Sequence, residues 1–151
     1  MRYDIISDTH GFLSEELLDQ LQGADVIVHA GDVCSLSDIR TLEQIAPLKL
    51  ALGNNDYSLG YGSGAVRRCK FFSDGFRWQV CHYRERLDTS VCDIAICGHT
   101  HRPYVERDRE SGTLIMNPGS PTYPRAKGPS MGRIIAENGK VLSAEIITLD
   151  F

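Results

Sequence analysis

Within its first fifty residues the chain alternates short apolar runs with amphipathic stretches, and that alternation confines it to folds built from βαβ units. Residues 3–7 (YDIIS), 25–30 (DVIVHA) and 48–52 (LKLAL) read as strands. Between the first two, Ser14 suits a helix N-cap, with Glu15 and Glu16 placed to meet the positive end of the helix dipole ahead of Leu17, Leu18 and Leu21. Between the last two, the spacing predicts a helix over 37–46, with Ile39, Leu42 and Ile45 on one face and Pro47 ending it. Consecutive βαβ units place their strands parallel in one sheet.

The second half is richer in strands. Residues 77–81 and 93–97 read as further strands, followed by shorter candidates at 103–107, 113–116, 132–136 and 141–147. Asn138-Gly139 between the last two is a strong two-residue hairpin signal. The pattern implies a second sheet packed on the first, with helices outside. With 151 residues and no internal repeat, linker or low-complexity tract, residues 1–151 form one expected domain. Gly60-Tyr61-Gly62-Ser63-Gly64 lacks the Lys-Ser or Lys-Thr of a phosphate-binding loop and reads as a surface loop, with a lid over a site as the alternative.

Five of the apolar runs end in side chains able to hold a metal. They are followed by Asp8-Thr9-His10, Gly31-Asp32, Gly53-Asn54-Asn55-Asp56, His82 and Gly98-His99-Thr100-His101. Strands of one polarity deliver such residues to one edge of a sheet, where α/β folds bind ligands. If the chain is extended there, Asp8 with His10 and His99 with His101 each face one way, with a threonine between them facing away. Glycines 11, 31, 53 and 98 suit tight turns or close backbone approach. Carboxylate, imidazole and amide oxygen suit borderline or hard divalent ions without thiolate. Taken singly, each segment has an ordinary explanation: a turn, a packed histidine, a surface histidine. Five in one order point to a two-metal centre, with Asp32, central among them, as the carboxylate that bridges the ions.

The order D-x-H, G-D, G-N-x-D, H, G-H-x-H resembles that of the calcineurin-like metallophosphoesterases, and Asn117-Pro118-Gly119-Ser120 resembles a segment of their small YfcE-like phosphodiesterase branch. The resemblance implies an α/β fold, a four-layer αββα sandwich of two mixed β-sheets flanked by helices. It implies that Asp8, His10 and His101 hold a first metal, that Asn54, His82 and His99 hold a second, and that Asp32 bridges them, with Asp32, Asn54 and His99 as the residues expected to carry catalysis. It further implies a hydroxide between the metals that attacks phosphorus in line. Two divalent ions are expected, Mn²⁺ first, with Ni²⁺, Fe²⁺ or Zn²⁺ as alternatives.

Two departures from the family pattern matter. Asn55 stands where classical members carry histidine and cannot protonate a leaving group, so substrates with good leaving groups are expected to be favoured. Tyr83 stands where many relatives have glycine; it either narrows the pocket, stacks on substrate or turns into a neighbouring loop. His29 is expected to support the site without binding metal, and Arg125 is either a phosphate clamp or a surface arginine. A small phosphodiester is the expected substrate. The net charge of −4 gives no electrostatic footprint for nucleic acid, and no run is long and apolar enough to span a membrane. Five scattered cysteines without a C-x-x-C pair read as reduced thiols of a cytoplasmic protein, with Cys81 and Cys97 in the core. A homo-oligomer is compatible with so small an enzyme. The rival class is a catalytically weak or inactive scaffold of the same fold that binds protein partners, as a eukaryotic retromer subunit does.

Overall fold

The computed structural model describes residues 1–57, 66–125 and 128–150, so the Gly60–64 segment lies outside the described residues. Ten strands form two five-stranded sheets. The first sheet holds β1 (Arg2–Ile6), β2 (Val26–His29), β3 (Leu48–Leu50), β9 (Ser130–Glu137) and β10 (Lys140–Thr148) in the order β10-β9-β1-β2-β3. β1, β2 and β3 are parallel, as the βαβ pattern requires, and β9 returns antiparallel to β1. The second holds β4 (Arg68–Ser73), β5 (Phe76–Cys81), β6 (Ile94–Ile96), β7 (Tyr104–Arg107) and β8 (Leu114–Asn117) in the order β4-β5-β6-β8-β7, with β5, β6 and β8 parallel.

The inner faces meet in a core of Tyr3, Ile5, Val28 and Ile134 against Trp78, Val80, Ile96 and Met116. Trp78 sits between the Tyr3 and Phe71 rings, at centroid distances of 4.4 and 5.3 Å. On the outer face of the first sheet, α1 (Glu15–Leu21) and α2 (Leu36–Ile45) bury Leu17, Leu21 and Leu42 against Ile6 and Ile27. Ser14 caps α1 as expected; α2 begins earlier than expected because the Ser35 hydroxyl accepts from the Asp38 backbone N–H. The outer layer of the second sheet is thinner, two 3-10 turns at Arg84–Arg86 and Thr89–Val91 covering Cys92, Ala95 and Ile115. The sandwich of two mixed sheets is therefore present, and its fourth layer consists of these turns.

β4 was not among the expected strands. It pairs antiparallel with β5 through Asp74-Gly75, both in left-handed conformation (φ 52° and 80°), the same turn chemistry as Asn138-Gly139 (φ 47° and 79°). The Asp-Gly dipeptide was the available signal. Consecutive Phe71 and Phe72 obscure the alternation of an edge strand in which Cys69 and Phe71 face the core. All five cysteines are free; Cys81, Cys92 and Cys97 are buried and Cys34 is exposed. No described helix is long and apolar enough to cross a membrane.

Candidate metal centre

The parallel strands of both sheets end at one rim, and the five ligand-bearing segments meet there. The loops after β1 and β2 run side by side, with Asp8 N–H bonding Gly31 O (2.9 Å) and His10 N–H bonding Asp32 O (2.9 Å). In the second sheet the loops after β5 and β6 are tied by Gly98 N–H bonding His82 O (3.0 Å), and they join the first pair where His99 N–H bonds Asp8 Oδ2 (3.0 Å). A Cβ at Gly98 would collide with Ser7 and the Asp8 carboxylate, and one at Gly31 would lie 2.8 Å from His82 Nδ1, so the closeness of the loops requires glycine at both positions.

Asp8 Oδ1 is the focus. Three imidazole Nε2 atoms surround it, from His101 at 3.2 Å, His82 at 3.7 Å and His10 at 3.8 Å. Asp32 Oδ2 lies 3.4 Å from His82 Nε2 and 3.8 Å from His10 Nε2. Two groups thus have metal-binding geometry, Asp8–His10–His101 and Asp8–Asp32–His82, with Asp8 common to both and Asp32 facing a histidine of each. Asn54 and His99 adjoin them: Asn54 Oδ1 is 3.2 Å from His99 Nδ1, and the His99 and His82 rings are 5.2 Å apart. All seven residues expected as ligands therefore gather, five in the two compact groups and two beside them.

The i, i+2 pairs converge, but not as extended chain. Asp8, His10, Asp32, His99 and His101 all have positive φ, between 51° and 71°. The strands have ended by then, and left-handed turns aim the side chains instead. Thr9, between the first pair, does face away, its hydroxyl meeting His29 Nε2 (3.0 Å).

Whether the residues suit a cation can be judged from the buried polar atoms. Asp8 Oδ1 and His82 Nε2 are buried without a hydrogen-bond partner among the described residues, although they face each other. Such atoms are costly unless something satisfies them, and an oxygen and an imidazole nitrogen together suit a divalent ion. His82 Nδ1 donates to Ala30 O (2.8 Å) and His101 Nδ1 to Tyr123 O (2.6 Å), which leaves Nε2 of both rings aimed inward, the arrangement that metal-binding histidines use. Burial works to raise the Asp32 carboxyl, but His82 and two hydrogen bonds from Asn55 outweigh it and hold Asp32 well below the usual carboxylate range. Burial likewise works to lower His82, but the Asp32 and Asp8 carboxylates raise it; His101 is raised by Asp8 against its own burial.

Several supporting residues had no role assigned from sequence. The buried Asp56 carboxylate accepts backbone N–H groups of Asp32 (2.7 Å), Val33 (3.3 Å), Cys34 (2.8 Å) and Gly53 (2.9 Å), clamping the loops after β2 and β3 together. Asn55 donates from Nδ2 to Asp32 Oδ2 (2.9 Å) and from its backbone to Asp32 Oδ1 (2.8 Å). Ser120 donates to Asp8 O (2.7 Å), and Asn117 donates to Gly98 O (3.0 Å). His29 is wholly buried and accepts at Nδ1 from Gly31 N–H (3.0 Å), which assigns it the supporting role. Tyr83 faces the site, its ring 4.5 Å from that of His99. Arg125 is exposed, and its side chain makes no hydrogen bond or ion pair among the described residues.

Residues 1–139 match the model of the calcineurin-like phosphoesterase superfamily domain. The chain belongs to that superfamily. It is 34% identical to a probable metallophosphoesterase of Methanothermobacter thermautotrophicus, over 97% of this chain and 92% of the relative. Among solved structures, it superposes on Vps29 of Entamoeba histolytica in complex with Zn²⁺ (TM-score 0.78, 20% identity, 97% of each chain). It also superposes on an archaeal phosphodiesterase (TM-score 0.72, 21% identity, 97% of this chain and all of that one). Such low identities establish a shared fold. The rim described above is thus the candidate metal centre of a metallophosphoesterase domain.

Proposed function

We propose that the chain is a phosphodiesterase that works with two divalent cations held at this rim. The observation that carries the reading is the pair of buried, unsatisfied atoms, Asp8 Oδ1 and His82 Nε2, with the Nε2 atoms of His10 and His101 directed at the same oxygen. Asp8, His10 and His101 would hold one ion; Asn54, His82 and His99 would hold the other, with Asp32 shared. Bound ions of this kind polarise phosphoryl oxygens and acidify water. The chain's own part is to fix the donors. Ala30 O and Tyr123 O keep the Nδ1 protons of His82 and His101 outward, and Asn55 anchors both oxygens of Asp32. With Asn55 so engaged, no side chain at that position supplies a proton to a leaving group. The donors are oxygen and nitrogen without thiolate, which suits borderline or hard divalent ions; Mn²⁺ is the first candidate, with Ni²⁺, Fe²⁺ or Zn²⁺ as alternatives. The likeness to an archaeal phosphodiesterase favours a small diester as substrate.

The test is to strip the protein of metal, reload it separately with each of the four ions, and measure metal content and hydrolysis of bis(p-nitrophenyl) phosphate. Asp32→Ala should lower bound metal and reduce turnover by roughly 100-fold or more; a variant that keeps both ends the proposal. The scaffold reading draws on the likeness to Vps29. It would be favoured by stoichiometric capture of a partner protein together with no turnover under any ion.

A further inference from the structure

A cavity of about 160 Å³ opens beside the Asn54–His82 end of the centre, walled by Leu52, Arg67, Tyr83 and Arg86. It is smaller than the roughly 300 Å³ at which pockets for drug-sized ligands begin, so it suits one short arm of a ligand. Two of the residues that line it are arginines. Arginine ion pairs among the described residues engage Arg2, Arg77, Arg84 and Arg133, whereas Arg67 and Arg86 take part in none. Each is nevertheless held in place. Arg67 Nη1 donates to Gly53 O (3.0 Å), the backbone immediately before Asn54, which uses one of its five N–H donors. The Arg86 guanidinium lies over the Tyr83 ring, 5.6 Å from its centroid, and Tyr83 in turn lies 4.5 Å from His99.

The rest of the rim is dominated by the carboxylates of Asp8, Asp32 and Asp56, which a pair of divalent ions would offset. Two arginines without carboxylate partners, walling a small cavity next to such a centre, are not needed for metal binding. They offer what a second anion needs, planar N–H forks that match a carboxylate or phosphate. Leu52 and the Tyr83 ring supply apolar wall for the few carbon atoms between the two charges.

We infer that this cavity selects the substrate: it receives one ester arm and favours an arm that carries a second oxyanion a few bonds from the scissile phosphate. The inference rests on the phosphodiesterase reading and names the class of diester that it would take. Tyr83 then bounds the arm and orients Arg86, which accounts for a bulky residue after His82.

Two measurements test it. In the first, binding of 3-phosphonopropionate and of the analogue whose carboxylate is replaced by a neutral amide is measured by calorimetry on the Mn²⁺-loaded protein, and the arginine Nε–H resonances are followed by NMR on the diamagnetic Zn²⁺-loaded protein. The carboxylate should bind about tenfold more tightly than the amide and shift two arginine resonances, and Arg67→Met with Arg86→Met should remove the difference. Equal binding of the two ligands to the unaltered protein would overturn the inference without recourse to any variant, as would a preference that survives in the double variant. In the second, two p-nitrophenyl diesters are compared, one with a 2-carboxyethyl arm and one with the matching amide. The ratio of their kcat/KM values is the readout, so a loss common to both cancels. Turnover of both diesters at equal kcat/KM would overturn the cavity assignment while leaving the phosphodiesterase reading intact. Arginine-dependent preference in binding with no turnover of either diester would do the reverse.

Discussion

Five residues of the candidate metal centre occupy left-handed backbone, at φ from 51° to 71°, and none is glycine. Each such residue costs about 1–2 kcal/mol relative to right-handed conformations, and the hydrogen bonds that Asp56, Ser120 and Asn55 make to these loops hold them there. Strain concentrated on ligand positions is what a site that must present its donors before the ion arrives would show. His29 illustrates a second residue-level constraint. Burial pushes its ring down to about 4, against the opposing pull of Asp56 and Asp8, so it is neutral in the fold. In the unfolded chain it titrates near 6.5. Above that pH neither state is protonated and its contribution is complete. As pH falls from 6.5 towards 4, the unfolded chain takes up a proton that the fold refuses, and stability drops by about 3 kcal/mol. His29→Gln should therefore flatten the pH dependence of urea-unfolding stability between pH 7 and 4.5 in the metal-free protein. An unchanged slope would show that other groups account for it.

At the scale of elements, the strands set the direction of each loop, and buried polar side chains set its path. The Asp56 carboxylate satisfies four backbone N–H groups drawn from two loops. Replacing it as Asp56→Asn keeps the volume but removes the charge and one acceptor oxygen. We expect a loss of about 2 kcal/mol in unfolding free energy and roughly 10- to 100-fold weaker metal binding, because Asp32 is positioned by the same loop. Chemical denaturation and competitive metal titration would check the two effects, and wild-type metal affinity in this variant would contradict the clamp. The hairpin between β9 and β10 was legible because Asn-Gly is a local signal. The Asp74-Gly75 hairpin carried the same signal, but β4 beside it reads as a charged, aromatic stretch, since an edge strand buries only part of one face.

On the scale of the whole molecule, the centre exists because the parallel strands of two separate sheets point the same way and end at the same rim. Asp8, His10, Asp32 and Asn54 come from the first sheet, His82, His99 and His101 from the second, and neither set alone surrounds Asp8 Oδ1. The electrostatics of this arrangement predict how pH and metal couple. His82 and His101 are both raised, so in the metal-free protein their stabilising contribution is full below pH 6.5 and disappears as pH rises through their raised values. A cation needs both Nε2 atoms deprotonated. The gain in Tm on saturation with Mn²⁺ should consequently be small at pH 6 and grow towards pH 8. Scanning calorimetry with and without the ion would reveal this, and a gain independent of pH would mean that these histidines do not bind the metal.

The identities and order of the seven gathered side chains, the βαβ start and the strand-rich remainder follow from local sequence, because apolar periodicity and residue chemistry are properties of short segments. Tertiary structure decided the rest. It replaced extended pairs with left-handed turns, since the strands stop short of the ligands and the loops must fold back on one another. It placed Asp8, central to neither its own segment nor the order of segments, between both groups of donors. It also brought Arg67, just before β4, and Arg86, in the turn after β5, to one cavity beside Asn54, an encounter that no spacing along the chain encodes, because it depends on how β4 pairs with β5.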